Sequence, residues 1–195
     1  MIAPDPDAAT LVLRRDDVRQ LLGMRDCIRA VEDAFRQHAL GHAIAPGVLG
    51  THVGGGGFHV KTAGLGRGGD RSRPVFAAKA NANFPGNPTR TGLPTIQGVI
   101  ALFDALDGRV LALMDSIEIT SLRTAAATAV AASYLAAPNA GVVTICGCGE
   151  QSRHQLRALA CVRPIRAVMA FDTTAGRAES FASDMSRELA IDVTA

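Results

Sequence analysis

The chain has 195 residues, enough for one large or two small domains with a sizeable core. Hydrophobic residues make up 48% and charged residues 19%, an ordinary globular composition, and with no tryptophan and 4% aromatics the core has to be aliphatic and alanine-rich. A net charge of +2 gives no basis for a nucleic-acid or anionic-membrane partner.

The first residues, Met1–Asp7, lack the basic and apolar regions of a secretion signal. The four cysteines (Cys27, Cys146, Cys148, Cys161) show no paired metal-ligand spacing, which suits a reducing cytoplasm. Leu11-Val12-Leu13 is a strand candidate, and Asp16-Asp17 opens a brief helix through Leu22. Asp26 can cap a longer helix with Ile28, Val31, Phe35 and Ala39 at helical spacing and Gly41 as its stop. His38 and His42 lie four apart near its end. Without a glutamate or a third ligand, a solvated helix end is expected there and no metal.

From Val48 to Asp115 the pattern is that of strands: Val48–Val53, Phe58–Ala63, Val75–Asn81, Gln97–Asp104 and Val110–Asp115, the last two joined at Asp107-Gly108. Gly54–Gly57 is followed by a strand rather than a helix, so a flexible hairpin connection is expected instead of a phosphate loop. Arg67–Arg73 reads as an exposed polar loop. Lys61 lies on the opposite strand face to Phe58, Val60 and Thr62, for which exposure is a sufficient account. Lys79 is different, because small and apolar neighbours surround it and lysine is rarely left there without a partner.

Asp115–Thr124 leads into an alanine-rich helix. Thr120 is a suitable N-cap, which would put Arg123 in the first turn, where a cation opposes the helix dipole. The functional reading is that helix end and guanidinium together hold an anion, most simply a carboxylate. Thr124–Gly149 carries no charge. Pro138-Asn139-Ala140-Gly141 breaks it into a helix and a strand, each too short to span a bilayer.

The β-branched run Val142–Cys146 then enters Gly147-x-Gly149-x-x-Ser152, with helical Arg153–Cys161 behind it. The first glycine permits a tight turn, the second lets backbone approach a pyrophosphate, and the third position has to be small. Arg166–Asp172 reads as the next strand, ending in an acid about 20 residues on, where a carboxylate holds the ribose 2′-hydroxyl. An acid there favours NAD over NADP, and the nearby Arg177 softens that preference.

Together these residues resemble the ornithine cyclodeaminase/mu-crystallin family. The resemblance is carried by Lys79–Pro88, Gly92-Leu93-Pro94-Thr95, Leu113-Met114-Asp115, Thr120-x-x-Arg123-Thr124-Ala125-Ala126 and Cys146–Gln151, in that order. It implies an α/β protein in two parts: an N-terminal α+β substrate-binding and dimerisation domain over 1–119, then, over 120–195, a linker helix and the N-terminal part of an NAD(P)-binding Rossmann domain. It also implies a homodimer that acts on a small amino or cyclic imino acid by hydride transfer between the substrate Cα and NAD, with NADP as the alternative. By the same resemblance Lys79 and Arg123 hold the substrate carboxylate near Thr95, and Gly147, Cys148, Gly149, Glu150, Gln151 and Asp172 form the dinucleotide site.

The chain departs from the family pattern in two places. At Pro46-Gly47-Val48, valine stands where the family commonly carries a further carboxylate-binding arginine, which leaves His59 or Lys61 to stand in for it. The doubly wound sheet is also incomplete: two strands and the start of a third precede Ala195, and the family's catalytic aspartate lies beyond. A non-catalytic homologue that dimerises and binds a small molecule or nucleotide is therefore the alternative expectation, and a chain without a stable fold is a third.

Overall fold

The computed structural model describes residues 9–66 and 73–195. The expected loop over Arg67–Arg73 lies outside the described residues except for Arg73, and so does Met1–Asp7. Arg73 is half-buried rather than exposed, because its Nε donates to Asp104 Oδ2 at 2.6 Å. In chain order the elements are β1 (Leu11–Leu13), α1 (Arg15–Leu21), α2 (Met24–Ala39), β2 (Ala43–Val53), β3 (Gly56–Leu65), β4 (Val75–Asn83), α3 (Asn87–Arg90), β5 (Ile96–Asp104), β6 (Val110–Asp115), α4 (Ser116–Leu135), β7 (Val142–Cys146), α5 (Glu150–Val162), β8 (Ala167–Phe171), α6 (Arg177–Leu189) and β9 (Asp192–Thr194). The chain is thus of the mixed α/β class.

It divides into two compact units, one of residues 1–21 and 33–119, the other of residues 22–32 and 120–195. The first unit is built on a six-stranded sheet in the order β1-β6-β5-β4-β3-β2, antiparallel except where β1 runs parallel to β6. One face is covered. It carries the buried Ile100 and Ala112, and Ala34 and His38 of α2 lie over Ala63, Leu65, Val75 and Ala77 around a cavity of about 380 Å³. The other face is open along Val12, Leu49, Phe58, Val99 and Leu113, all exposed. The apolar set Phe58, Val60 and Thr62 lies on this second face, where Phe58 is exposed apart from an edge-to-face contact with Phe84 and Val60 and Thr62 are half-buried.

The run of four glycines is a tight hairpin, not a flexible connection. Only Gly54 and Gly55 form the turn, with Gly55 at φ +83°, a conformation that glycine adopts without strain. Gly56 already pairs in β3, where a Cβ would meet the Asn83 carbonyl oxygen at 2.5 Å.

The second unit has a parallel sheet in the order β7-β8-β9, so the expected start of a third strand is a paired strand. Apolar residues at alternate positions, Ile145 on β7, Val168 and Ala170 on β8 and Val193 on β9, pack with Leu156 of α5 and with Phe181 and Met185 of α6. A second cluster joins Cys27 and Ile28 to Leu122, Ala125, Ala126, Ala129 and Val130 of α4 and to Ala158 of α5. The small alanines permit close helix approach, which is how a core without tryptophan is filled. Arg163 closes the end of α4: its Nε donates to the Ala132 carbonyl at 3.1 Å and its Nη2 to those of Ser133 and Ala136 at 3.1 Å. A cation there gives the last carbonyls a side-chain donor, Ala132 in addition to the Ala136 N–H, and complements the dipole. Among the described residues no helix is long and apolar enough to cross a membrane.

Candidate active site

The glycine turn lies in the second unit. Gly147 follows β7 at φ +91°, a backbone conformation that other residues adopt only with strain. Its N–H donates to the Phe171 carbonyl at 2.7 Å, which ties the turn to the end of β8. Ser152, at the third small position, returns its hydroxyl to the Gly147 carbonyl. Gly149 is the N-cap of α5 and supplies no side-chain cap, so the first N–H groups of the helix are left to an outside acceptor. A Cβ added at Gly147 or Gly149 would meet nothing within 4 Å. An uncapped helix start facing open space fits a phosphate-bearing ligand.

Asp172 stands just past β8, its side chain 5% exposed. Oδ2 accepts the Cys148 N–H at 2.7 Å and Oδ1 the Thr174 N–H at 2.8 Å. Arg177 lies 3.8 Å away. The backbone donors of Cys148 and Thr174, with Arg177 beside them, hold this carboxyl below the usual carboxylate range, so it is ionised at neutral pH. Asp172 thus fixes the turn as well as marking the end of the strand, a second task that spacing alone does not disclose.

The other residues of the turn have local partners. Gln151 Nε2 donates to the Ser121 carbonyl at 3.3 Å, and Glu150 lies 3.3 Å from His154. Burial, reinforced by the Asp172 charge, pushes the Cys148 thiol up and keeps it protonated. All four cysteines are free thiols, and among the described residues no three His, Cys, Asp or Glu side chains cluster as metal ligands. His42 is engaged with Gln37, Nδ1 to Oε1, at 2.8 Å.

Arg123 is also in the second unit but not in a first helical turn. α4 begins at Ser116, directly after β6, because the Asp115 carboxylate accepts the Ile117 N–H at 2.8 Å and so caps the helix. Thr120 is an interior residue whose carbonyl accepts the Thr124 hydroxyl at 2.7 Å. The helix-dipole argument for an anion at Arg123 therefore falls. What remains is an exposed guanidinium that makes no hydrogen bond or ion pair among the described residues. It is near enough to Cys27 to oppose the upward push of burial on that thiol.

The first unit brings Lys61 and Lys79 together. They are direct partners in the antiparallel pairing of β3 and β4, which puts both on the same sheet face, the one that carries Ile100. Lys61 is exposed and Lys79 half-buried. The next row on that face is Gly50, His59, Asn81 and Gly98. Beneath it the fully buried Ser116 donates to Asn81 Oδ1 at 2.8 Å. Gly98 makes room for this pair, since a Cβ there would meet the Ala80 carbonyl oxygen at 2.3 Å and Asn81 Oδ1 at 2.5 Å. The sequence reading gave Asn81 and Ser116 no role; the available signal was period two, with Asn81 two residues beyond Lys79 on the same face.

Thr95 is half-buried just before β5, its carbonyl accepting the Phe84 N–H at 2.8 Å. The loop before it is pinned by Asn87, whose Nδ2 donates to the Pro94 carbonyl at 3.3 Å.

A parallel strand, glycine turn, helix and strand with a fixed acid at its end put the second unit in the Rossmann class of folds. The chain belongs to the ornithine cyclodeaminase/mu-crystallin family, whose model matches residues 8–195. It is 38% identical over 174 residues to the alanine dehydrogenase of Archaeoglobus fulgidus, which covers 89% of this chain and 52% of that one. Among solved structures, an archaeal alanine dehydrogenase dimer with bound NAD superposes with a TM-score of 0.87 at 35% identity, covering 95% of this chain and 56% of that one. The Δ1-pyrroline-2-carboxylate reductase of Thermococcus litoralis, in complex with NADH and L-proline, gives a TM-score of 0.84 at 33% identity over the same shares, 95% and 56%. The chain spans about half the length of the curated relatives it matches.

Proposed function

We propose that this chain is the substrate-binding and nucleotide-binding part of an NAD-dependent oxidoreductase acting on a small amino or cyclic imino acid. The reading is carried by the open glycine turn at the uncapped start of α5, with Asp172 fixed beside it, in a chain similar to two solved structures that hold NAD or NADH. Backbone N–H groups at Gly147–Gln151 would hold the pyrophosphate, and Asp172 the ribose. Glu150 shapes the start of the helix, and Gln151 anchors it to α4. An ionised acid favours NAD, and Arg177 leaves NADP possible. The cofactor supplies the hydride acceptor or donor.

On the substrate side the proposal gives the carboxylate to Lys79 and Arg123, with Thr95 and Lys61 as further ligands. Their task is orientation, since a fixed carboxylate fixes Cα for hydride transfer. A homodimer is proposed through the open face of the six-stranded sheet, where Val12, Leu49 and Phe58 are 71%, 66% and 49% exposed. A contiguous apolar face of this kind marks an interaction surface. Free thiols fit a cytoplasmic setting.

The test is to follow NADH with the purified chain against alanine, proline, ornithine, lysine and their imines. Turnover supports the oxidoreductase. Nucleotide and amino-acid binding without turnover favours the non-catalytic alternative, and no binding of either contradicts both. Replacing Lys79 with Met should weaken amino-acid binding at least about tenfold, the cost of losing one charge-assisted bond to a carboxylate.

A further inference from the structure

Asn81 is tied down at one end of its amide only. Ser116, fully buried as the first residue of α4, donates its hydroxyl proton to Asn81 Oδ1 at 2.8 Å. Gly98, the direct partner of Asn81 on β5, leaves room for this, with Oδ1 2.5 Å and Ser116 Oγ 2.8 Å from where its Cβ would stand. The amide is planar, so Nδ2 lies across Cγ from the Ser116 bond, with two N–H donors to place. Among the described residues Nδ2 makes no hydrogen bond, and it is not one of the fully buried unpaired atoms, so it is open to solvent. His59, across from Asn81 on β3, is set edge to face with His52 instead.

A bond that only pinned β4 to α4 would need an acceptor at this position and no more, and aspartate would supply one. With asparagine there, a flipped amide would leave the buried Ser116 proton without its acceptor, so the bond holds the N–H end outward. Asn81 shares its face with Lys79, about 6.8 Å away along the strand. On the other side of Lys79, α2 lies over the face, with Ala34 and His38 near Ala77 and Val75. Lys79 already has a partner within the chain. It still attracts a carboxylate, but an ammonium on a flexible stem is a point charge that sets no direction. A fixed amide N–H does set one, and a carboxylate with bonds of about 2.9 Å to each oxygen reaches donors that far apart.

We propose that Asn81 is a substrate ligand whose amide N–H donates to the carboxylate drawn to Lys79, and that Ser116 is the positioning residue that turns the amide toward it. The charge of Lys79 then supplies attraction, and the amide supplies the orientation that fixes Cα. The inference rests on the carboxylate role given to Lys79 above and adds a residue to that site on an observation of its own.

The experiment is calorimetric titration with L-alanine and L-proline, with melting temperatures alongside, of the unaltered chain and of Asn81→Asp, Asn81→Leu, Ser116→Ala and Lys79→Met. Aspartate at position 81 still accepts the Ser116 proton, so Asn81→Asp should keep its melting temperature. It should nevertheless lose at least about tenfold in affinity, because the donors are gone and a negative charge stands in their place. Asn81→Leu removes the donors without adding charge and should also lose about tenfold. Ser116→Ala leaves the amide free to turn and should lose about threefold, the cost of ordering one side chain on binding. Affinity within about twofold of the unaltered chain in Asn81→Asp or Asn81→Leu overturns the assignment, while weakened binding in Lys79→Met keeps that lysine as a carboxylate ligand. Unchanged affinity in Ser116→Ala overturns the positioning role. An unaltered chain that binds neither amino acid removes the carboxylate role of Lys79 and the inference with it.

Discussion

The two units use glycine for opposite purposes. In the six-stranded sheet Gly98 is crowded, with the Ala80 carbonyl, the Asn81 amide and the Ser116 hydroxyl all closer than 3 Å to where a Cβ would stand. In the parallel unit a Cβ on Gly147 or Gly149 would meet nothing within 4 Å. The first glycine is there for packing and the second pair for access. The candidate sites differ in the same way. The sheet face offers side chains, the lysine pair with His59 and Asn81, whereas the turn offers backbone N–H groups and one carboxylate that holds them in place. Substitutions in the first unit should therefore separate charge from fold, and those in the second should separate conformation from contact.

The largest effect is expected at the crowded glycine. Gly98→Ala should lower stability by about 3 kcal/mol, the upper end for overpacking, because the atoms met are backbone and a buried hydrogen-bonded pair. Denaturant unfolding measures it, and a change below about 0.5 kcal/mol, the scale of an innocuous surface substitution, would show that the site is not packed as described. Next comes Arg163→Ala, which removes the guanidinium shared by three carbonyls at the end of α4, of which Ala132 keeps the Ala136 N–H. A loss of about 2 kcal/mol follows, since hydrogen bonds from a charged donor are the stronger ones. Gly147→Ala should cost less, about 1–2 kcal/mol for a left-handed backbone with a Cβ. It should also weaken NADH binding, which ties conformation to function at this turn.

The smallest effect is in the acid limb. Asp172, held by the Cys148 and Thr174 N–H groups, Asp104, held by the Leu106 N–H and Arg73, and Glu188, held by Arg157, all lie below the usual carboxylate range. Depressed folded-state values mean that the stabilisation is fully present above the unfolded values of about 4 and is lost as pH falls through the folded ones. Thermal stability should be level from neutral pH to about pH 5 and fall below about pH 4. A melting temperature that rises on acidification would contradict these partnerships.

Much of this was legible in the chain itself. Period-two alternation and turn residues located the strands of the sheet, and β6 came out with its observed ends, Val110–Asp115. Three features were not legible, each for a physical reason. The start of α4 was placed at Thr120, but Asp115 and Ser116 also suit a cap, and the strand passes into the helix with no loop to separate them. The glycine run gave no sign that Gly56 is confined by Asn83, a contact made across the sheet. Alternation placed Phe58, Val60 and Thr62 on one face but could not say that this face leaves Phe58, Leu49 and Val12 exposed. At the turn, spacing located Asp172, while its bond to the Cys148 N–H is a fact of three-dimensional proximity.

The most direct test of the nucleotide site is the affinity of the chain for NADH before and after Gly149→Asp. Gly149 has φ −83°, which aspartate adopts without strain, and its Cβ would enter open space. Aspartate is also a favoured N-cap and should leave the melting temperature unchanged or raise it. It would, however, spend the free N–H groups of α5 and set a negative charge where the pyrophosphate belongs. The account predicts saturable NADH binding by the unaltered chain that falls at least about tenfold in a fully folded Gly149→Asp. Undiminished binding in that variant would contradict it.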